Sequence, residues 1–269
     1  MGRHRALRGC MAVAVALALA GCMRGEKVTL ALDFSSQLQW CYRMVVEVEA
    51  GAGGDTATHG VSQARAEICL RASTSEPGEV VVAFEDLQLT SGILHAAEVE
   101  HARRRLTGSP VRFRMQDGVL APLDTAVLAE MQFGGWDLYR VVARTVPALP
   151  ADPIAVGETW DREYDVPLAD ALTLSVGHLY QTYTLDSVRG AGSARLAYLS
   201  WTYTYRVEST ADSGAALPRE LSAGGKGAGA AVVDLGAKAL REARVDFRVP
   251  GDSQAAALWR ERVEIGPAE

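Results

Sequence analysis

The sequence lacks the spacings by which catalytic or metal chemistry usually announces itself. No serine sits in a nucleophile elbow, no Cys/His spacing matches a zinc site, and no carboxylate pair stands out among the 33 acidic side chains. His95 and His101 are six residues apart, about 120° off a common helix face, so they do not form a metal pair. There is little cysteine, four residues in 269. There is also only one apolar run of note, residues 11–20, whose ten residues make about 15 Å of helix, roughly half the hydrocarbon thickness of a bilayer. A membrane span is therefore excluded for that run. Basic clusters are absent beyond Arg103, Arg104 and Arg105, and the net charge is −6. Such a surface repels nucleic acid and anionic headgroups, which removes nucleic-acid binding from consideration. No cofactor is implied.

What the sequence does carry is an export signal. Arg3, Arg5 and Arg8 precede the apolar run, and Leu19-Ala20-Gly21-Cys22 closes it with small residues ending in cysteine. This quartet resembles a bacterial lipobox. It predicts removal of residues 1–21, lipidation of Cys22, and a protein held on the membrane, by default the outer membrane, without spanning it. Two or more acyl chains at about 0.8 kcal/mol per CH₂ exceed what stable anchoring requires. Cleavage takes three arginines and no acid, leaving 24 basic against 33 acidic side chains in 248 residues, a balance of −9. Residues 22–27 then form a short tether, and residues 28–269 form one β-rich domain.

Period-two alternation begins at Val28, Leu30, Leu32 and Phe34. Two further strands follow around a Gly/Thr-rich loop at 51–59. Pairing residues whose numbers sum to 110 sets Tyr42 against Ile68, Met44 against Ala66, Arg43 against Glu67 and Cys41 against Cys69. In an oxidising compartment this register predicts a Cys41–Cys69 disulfide; the alternative is two unbridged thiols on one hairpin face. The apolar phase changes between Phe84 and Leu87, which predicts a β-bulge near Glu85 and Asp86. Residues 93–107 read as a short helix or a loop. Asp124 and Thr125 can cap a helix running to Val146, interrupted by Gly134-Gly135.

In the second half, residues 174–185 and 196–207 read as strands around a two-residue Gly190-Ala191 loop, with pairs summing to 381. One face then gathers His178 and Tyr180 with Trp201, Tyr203 and Tyr205, either as a core under the helix, the preferred reading, or as the wall of an apolar groove. The glycines at 222–229 have the look of a phosphate loop but lack its Gly-Lys-Ser/Thr ending, so they read as a flexible loop. The last strands fall at 231–235, 243–249 and 257–265.

The stretch Leu149-Pro150-Ala151-Asp152-Pro153-Ile154-Ala155-Val156-Gly157-Glu158-Thr159-Trp160 resembles the Pro-containing Val-Gly-Asp-Thr-Trp signature of an uncharacterised family of bacterial secreted lipoproteins, with Glu158 where the family usually shows Asp. The segments around Trp40-Cys41-Tyr42-Arg43 and 108–120 fit the same layout. The resemblance implies an α+β fold: a long curved antiparallel sheet of about nine to eleven strands, half-barrel-like, with one or two helices packed on one face, similar to lipoprotein carriers. It implies no catalytic residues. The expectation is a non-enzymatic, membrane-anchored envelope scaffold or interaction module; the alternative is a carrier-like module that binds a lipid or other apolar ligand.

Overall fold

The computed structural model describes residues 25–33, 40–50, 62–73, 79–91, 96–108, 110–116, 119–123, 132–133, 136–137, 141, 145–169, 174–208, 224–250 and 257–267. The export signal and Cys22 lie outside them. The described part is mostly strand: β1 (Lys27–Val28), β2 (Trp40–Ala50), β3 (Ser62–Ser73), β4 (Glu79–Ser91), β5 (Val111–Gln116), β6 (Val119–Pro122), β7 (Gln132–Phe133), β8 (Trp136–Asp137), β9 (Ile154–Ala155), β10 (Thr159–Ala169), β11 (Leu174–Arg189), β12 (Leu196–Glu208), β13 (Gly225–Asp234), β14 (Ala239–Pro250) and β15 (Ala257–Pro267). Helix α1 (Ala96–Gly108) packs against β4.

Eleven strands form one antiparallel sheet in the order β10-β11-β12-β13-β14-β15-β2-β3-β4-β5-β6. The second half of the chain meanders inward from the β10 edge until its last strand pairs with β2. The sheet stays open, with β10 and β6 as its edges. Alternation explains its sidedness. Val245, Phe247, Val263, Ile265, Met44 and Phe113 are each at most 5 % exposed on one face, while Arg244, Glu264 and Arg43 lie exposed on the other. Val28 and Leu30 are buried as their alternation predicts, tied down by the β1–β9 pair.

The bulge falls where the phase change predicts. Cys69 pairs Asp86 and Leu70 pairs Phe84, leaving Glu85 as the extra residue. The hairpin register, however, differs. Tyr42 faces Leu70, Met44 faces Ile68, and Glu47 faces Arg65, a slip of two residues that preserves the sidedness of both strands. Cys41 consequently stands opposite Arg71, and Cys69 opposite Arg43. The two cysteines are therefore not directly opposed in the ladder, as the expected disulfide required.

Two further expectations are corrected, and one left open is decided. The Asp124–Val146 helix is interrupted at the glycines as expected, but the residues on either side of them are strand rather than helix, Gln132–Phe133 pairing with Trp136–Asp137; Val141 and Thr145 are helical, with the Thr145 hydroxyl donating to the Val141 carbonyl at 2.6 Å. Of the two readings of residues 93–107 the helix is the one formed, as α1, whose Glu100 holds Arg103 at 2.9 Å. The glycine-rich stretch is not a loop: from Gly225 it is strand β13. Its exit turn into β14 is organised by buried Asp234, which accepts from the Gly236 and Ala237 amides through Oδ1 and from Arg241 through Oδ2. The Ala237 amide, followed by Arg241, holds this carboxyl below the ordinary carboxylate range.

Candidate functional site

The β11–β12 hairpin carries the aromatic residues of interest, and its register decides which of them meet. Tyr183 faces Trp201, Gln181 faces Tyr203, Leu179 faces Tyr205, and Asp186 is an extra residue between Leu185 and Ser187. The pairs sum to 384 rather than 381, an odd slip that turns β11 over relative to the expected arrangement. Trp201, Tyr203 and Tyr205 are therefore together in the core at 2–3 % exposure, whereas His178 and Tyr180 are on the opposite face. Tyr180 is 40 % exposed, and His178 Nδ1 lies 2.7 Å from Asp165 Oδ1 on the neighbouring edge strand.

On the inner face the rings pack in two groups. Trp160 stacks on Tyr183 at 5.1 Å, Tyr183 leans on Trp201 at 5.4 Å, and Tyr203 stacks on Phe247 at 5.8 Å. Alternate glycines of β13 make room for them. A Cβ at Gly229 would lie 2.2 Å from the Trp201 ring, and one at Gly227 would lie 2.3 Å from Tyr203. The glycines weaken the strand intrinsically and are offset by the aromatic faces laid over them.

The Val156-Gly157-Glu158-Thr159-Trp160 motif closes one end of this layer. Gly157 has φ +87°, a left-handed turn that favours glycine, and the Glu158 carboxylate accepts from the Ala155 amide at 3.0 Å. Trp160 then enters the core as the start of β10, and its Nε1 donates to the Ala148 carbonyl at 2.8 Å. The Tyr183 hydroxyl accepts from the Ala148 amide at 3.1 Å and donates to Gln181 Oε1 at 2.7 Å. Burial pushes that phenol above its ordinary pKa, so it stays neutral and serves as a structural hydrogen bond. β10 itself escapes the reading of the sequence, although Trp160, Arg162 and Tyr164 alternate inward along it; the charges between them and Pro167 mask the pattern.

The outer face holds an open hollow of about 770 Å³ across β12–β15 and β2. Tyr198, Ala230, Val232, Val45 and Gly266 line its floor, and Arg43, Asp186, Glu242, Arg244 and Glu264 its rim. Arg189 lies over the Tyr198 ring at 4.4 Å. The bulge at Asp186 and another in β14 at Arg241 flank this hollow, as bulges beside binding surfaces do.

No protein-family model matches the chain, and no curated protein matches it. Among solved structures it is similar to one described as lipid-protein interactions in lipovitellin, with a TM-score of 0.51 at 11 % sequence identity. The match covers 88 % of this chain and 26 % of that one, so the chain spans about a quarter of its length. At that identity the likeness is one of fold: a large, open antiparallel sheet with one apolar face.

Proposed function

We propose that the chain is a lipid-anchored, non-enzymatic envelope protein whose sheet serves as an interaction module, with the outer hollow as its contact surface. The observation that carries this reading is that the aromatic face is filled. Trp201 at 2 % and Tyr203 at 3 % exposure sit directly on Gly229 and Gly227, which leaves no groove under those rings for an acyl chain. Among the described residues, the hollow on the other face offers accessible apolar surface, with charges of both signs around it. A floor of this kind with a polar rim is the usual anatomy of a protein contact. The lipobox and the likeness to a secreted lipoprotein family supply the address.

A second reading, an apolar-ligand carrier, is favoured by the fold it shares with lipovitellin, whose structure is described in terms of lipid-protein interactions. A photoreactive residue placed at Tyr198 in intact cells separates the two. Protein adducts are expected. Lipid adducts alone would replace the first reading with the second. Detergent partitioning lost on Cys22→Ser is expected for the anchor, and unchanged partitioning would remove it.

A further inference from the structure

The inner face at the β10 edge holds two hydrogen-bond donors with no acceptor. Gln181 is 2 % exposed; its Oε1 takes the Tyr183 hydroxyl, and its Nε2 has no partner. Its direct neighbour across the ladder is Arg162. That side chain is half-buried, gives Nη1 to the Asp161 carbonyl and Nη2 to the Leu149 carbonyl, and leaves a buried Nε without a partner. Among the described residues its guanidinium has only those neutral carbonyls and no carboxylate.

Buried donors are nearly always paired, and a cation withdrawn from water without a counter-charge is more costly still. Turning the Gln181 amide over does not resolve this. A turned amide could give Nε2 to the Tyr183 hydroxyl, which has a second lone pair beside the one taken by the Ala148 amide, but it would withdraw Oε1, the acceptor of that hydroxyl's own proton, and so strand a buried donor again. Both missing partners are acceptors, and one donor is charged. Trp201 Nε1 is also buried and unpaired, but it leans over Gly229, two strands away, and is not part of the pair.

We propose that Arg162 and Gln181 form an oxyanion-binding site, taking a carboxylate or phosphate oxygen between Arg162 Nε and Gln181 Nε2. The apolar surroundings, Trp160, Tyr164, Leu179 and Leu149, suit an anion that carries an apolar body, such as the head of an acyl lipid. A small free anion offers the same oxygen. The site does not depend on the outer hollow, so it stands or falls separately from the interaction reading.

Calorimetric titration of the full chain in neutral detergent with acetate, inorganic phosphate and octanoate, using octanol as the uncharged control, tests it. At least one anion binds saturably, and Arg162→Lys and Gln181→Met each weaken it about tenfold or more, since a charge-assisted bond or its partner is lost while lysine keeps the charge without the fork. Octanoate alone identifies an acyl head, and acetate or phosphate binding identifies a free anion; either supports the site. Melting curves of both variants establish that they fold, and Arg162, at the half-exposed edge, carries the test if Gln181→Met does not. Absence of saturable binding by all three anions, equal binding of octanol and octanoate, or affinity unchanged in a folded variant overturns the proposal.

Discussion

Single glycines decide whether the aromatic layer can exist. At Gly229 the nearest atoms to a Cβ would be three of the Trp201 ring, none beyond 2.8 Å, so a side chain there forces the indole off the sheet. Overpacking of this kind costs about 1 to 3 kcal/mol, occasionally more, against a total stability of about 5 to 15 kcal/mol. Gly229→Val therefore lowers the melting temperature by several degrees and blue- or red-shifts the Trp201 contribution to fluorescence. Gly266 is its control, because a Cβ there meets nothing within 4 Å. Gly266→Val leaves stability nearly unchanged, and a Gly229→Val variant that melts alongside it would show that the ring does not need its glycine seat. Thermal unfolding followed by circular dichroism reads both.

Strand registers set what the hairpins can do. Cys41 is opposite Arg71 and Cys69 opposite Arg43, which makes the cysteines diagonal neighbours. Diagonal neighbours across a ladder are about 7 to 8 Å apart, their Cβ atoms somewhat less, whereas a disulfide needs Cβ atoms about 3.5 to 4.5 Å apart. Alkylation of the denatured, unreduced protein should thus label both thiols, and a Cys41–Cys69 linked peptide in a non-reducing digest would show that the strands slip by two residues. The two registers are indistinguishable in the sequence for a physical reason. A shift of two keeps Tyr42, Met44 and Val46 on the same side as Ala64, Ala66 and Ile68, so apolar alternation cannot tell the registers apart, and the turn that does lies outside the alternating residues. In β11–β12 the loop is longer than the Gly190-Ala191 pair that seemed to make it, and the odd slip moved His178 and Tyr180 to the far face. Most strands other than β10, the bulge at Glu85 and the burial of Trp201, Tyr203 and Tyr205 were legible, because each follows from local periodicity. The role of β13 was not, because glycine there has no side chain to show a period; the pattern is visible only in the rings of its neighbours. Nor was the pairing of Arg162 with Gln181, since β10 was hidden and the expected register of β11 turned Gln181 to the other face.

An eleven-stranded sheet that does not close must protect its ends from pairing with other copies. β6 does so by being short, four residues ending in Pro122. β10 is eleven residues long and needs other means. Asp161, Glu163 and Asp165 stand exposed along its outer face, so two copies meeting edge to edge in antiparallel register would set acid against acid. Pro167, near the end of the strand, has no N–H to offer a new partner. Asp161 and Asp165 are also engaged within the sheet, by the Thr182 hydroxyl at 2.7 Å and by His178, whereas no bond to the Glu163 side chain contributes to the fold among the described residues. Glu163 and Pro167 are thus the positions where protection of the edge can be removed with least damage to the sheet. The double variant Glu163→Val with Pro167→Val should keep its melting temperature at low concentration, because valine suits a strand and neither change opens the core. As concentration rises it should self-associate, giving larger species by light scattering where the parent chain stays unchanged. A double variant that remains as disperse as the parent at every concentration would mean that β10 is covered by something other than its own charges, and that the edge is not the weak point of this architecture.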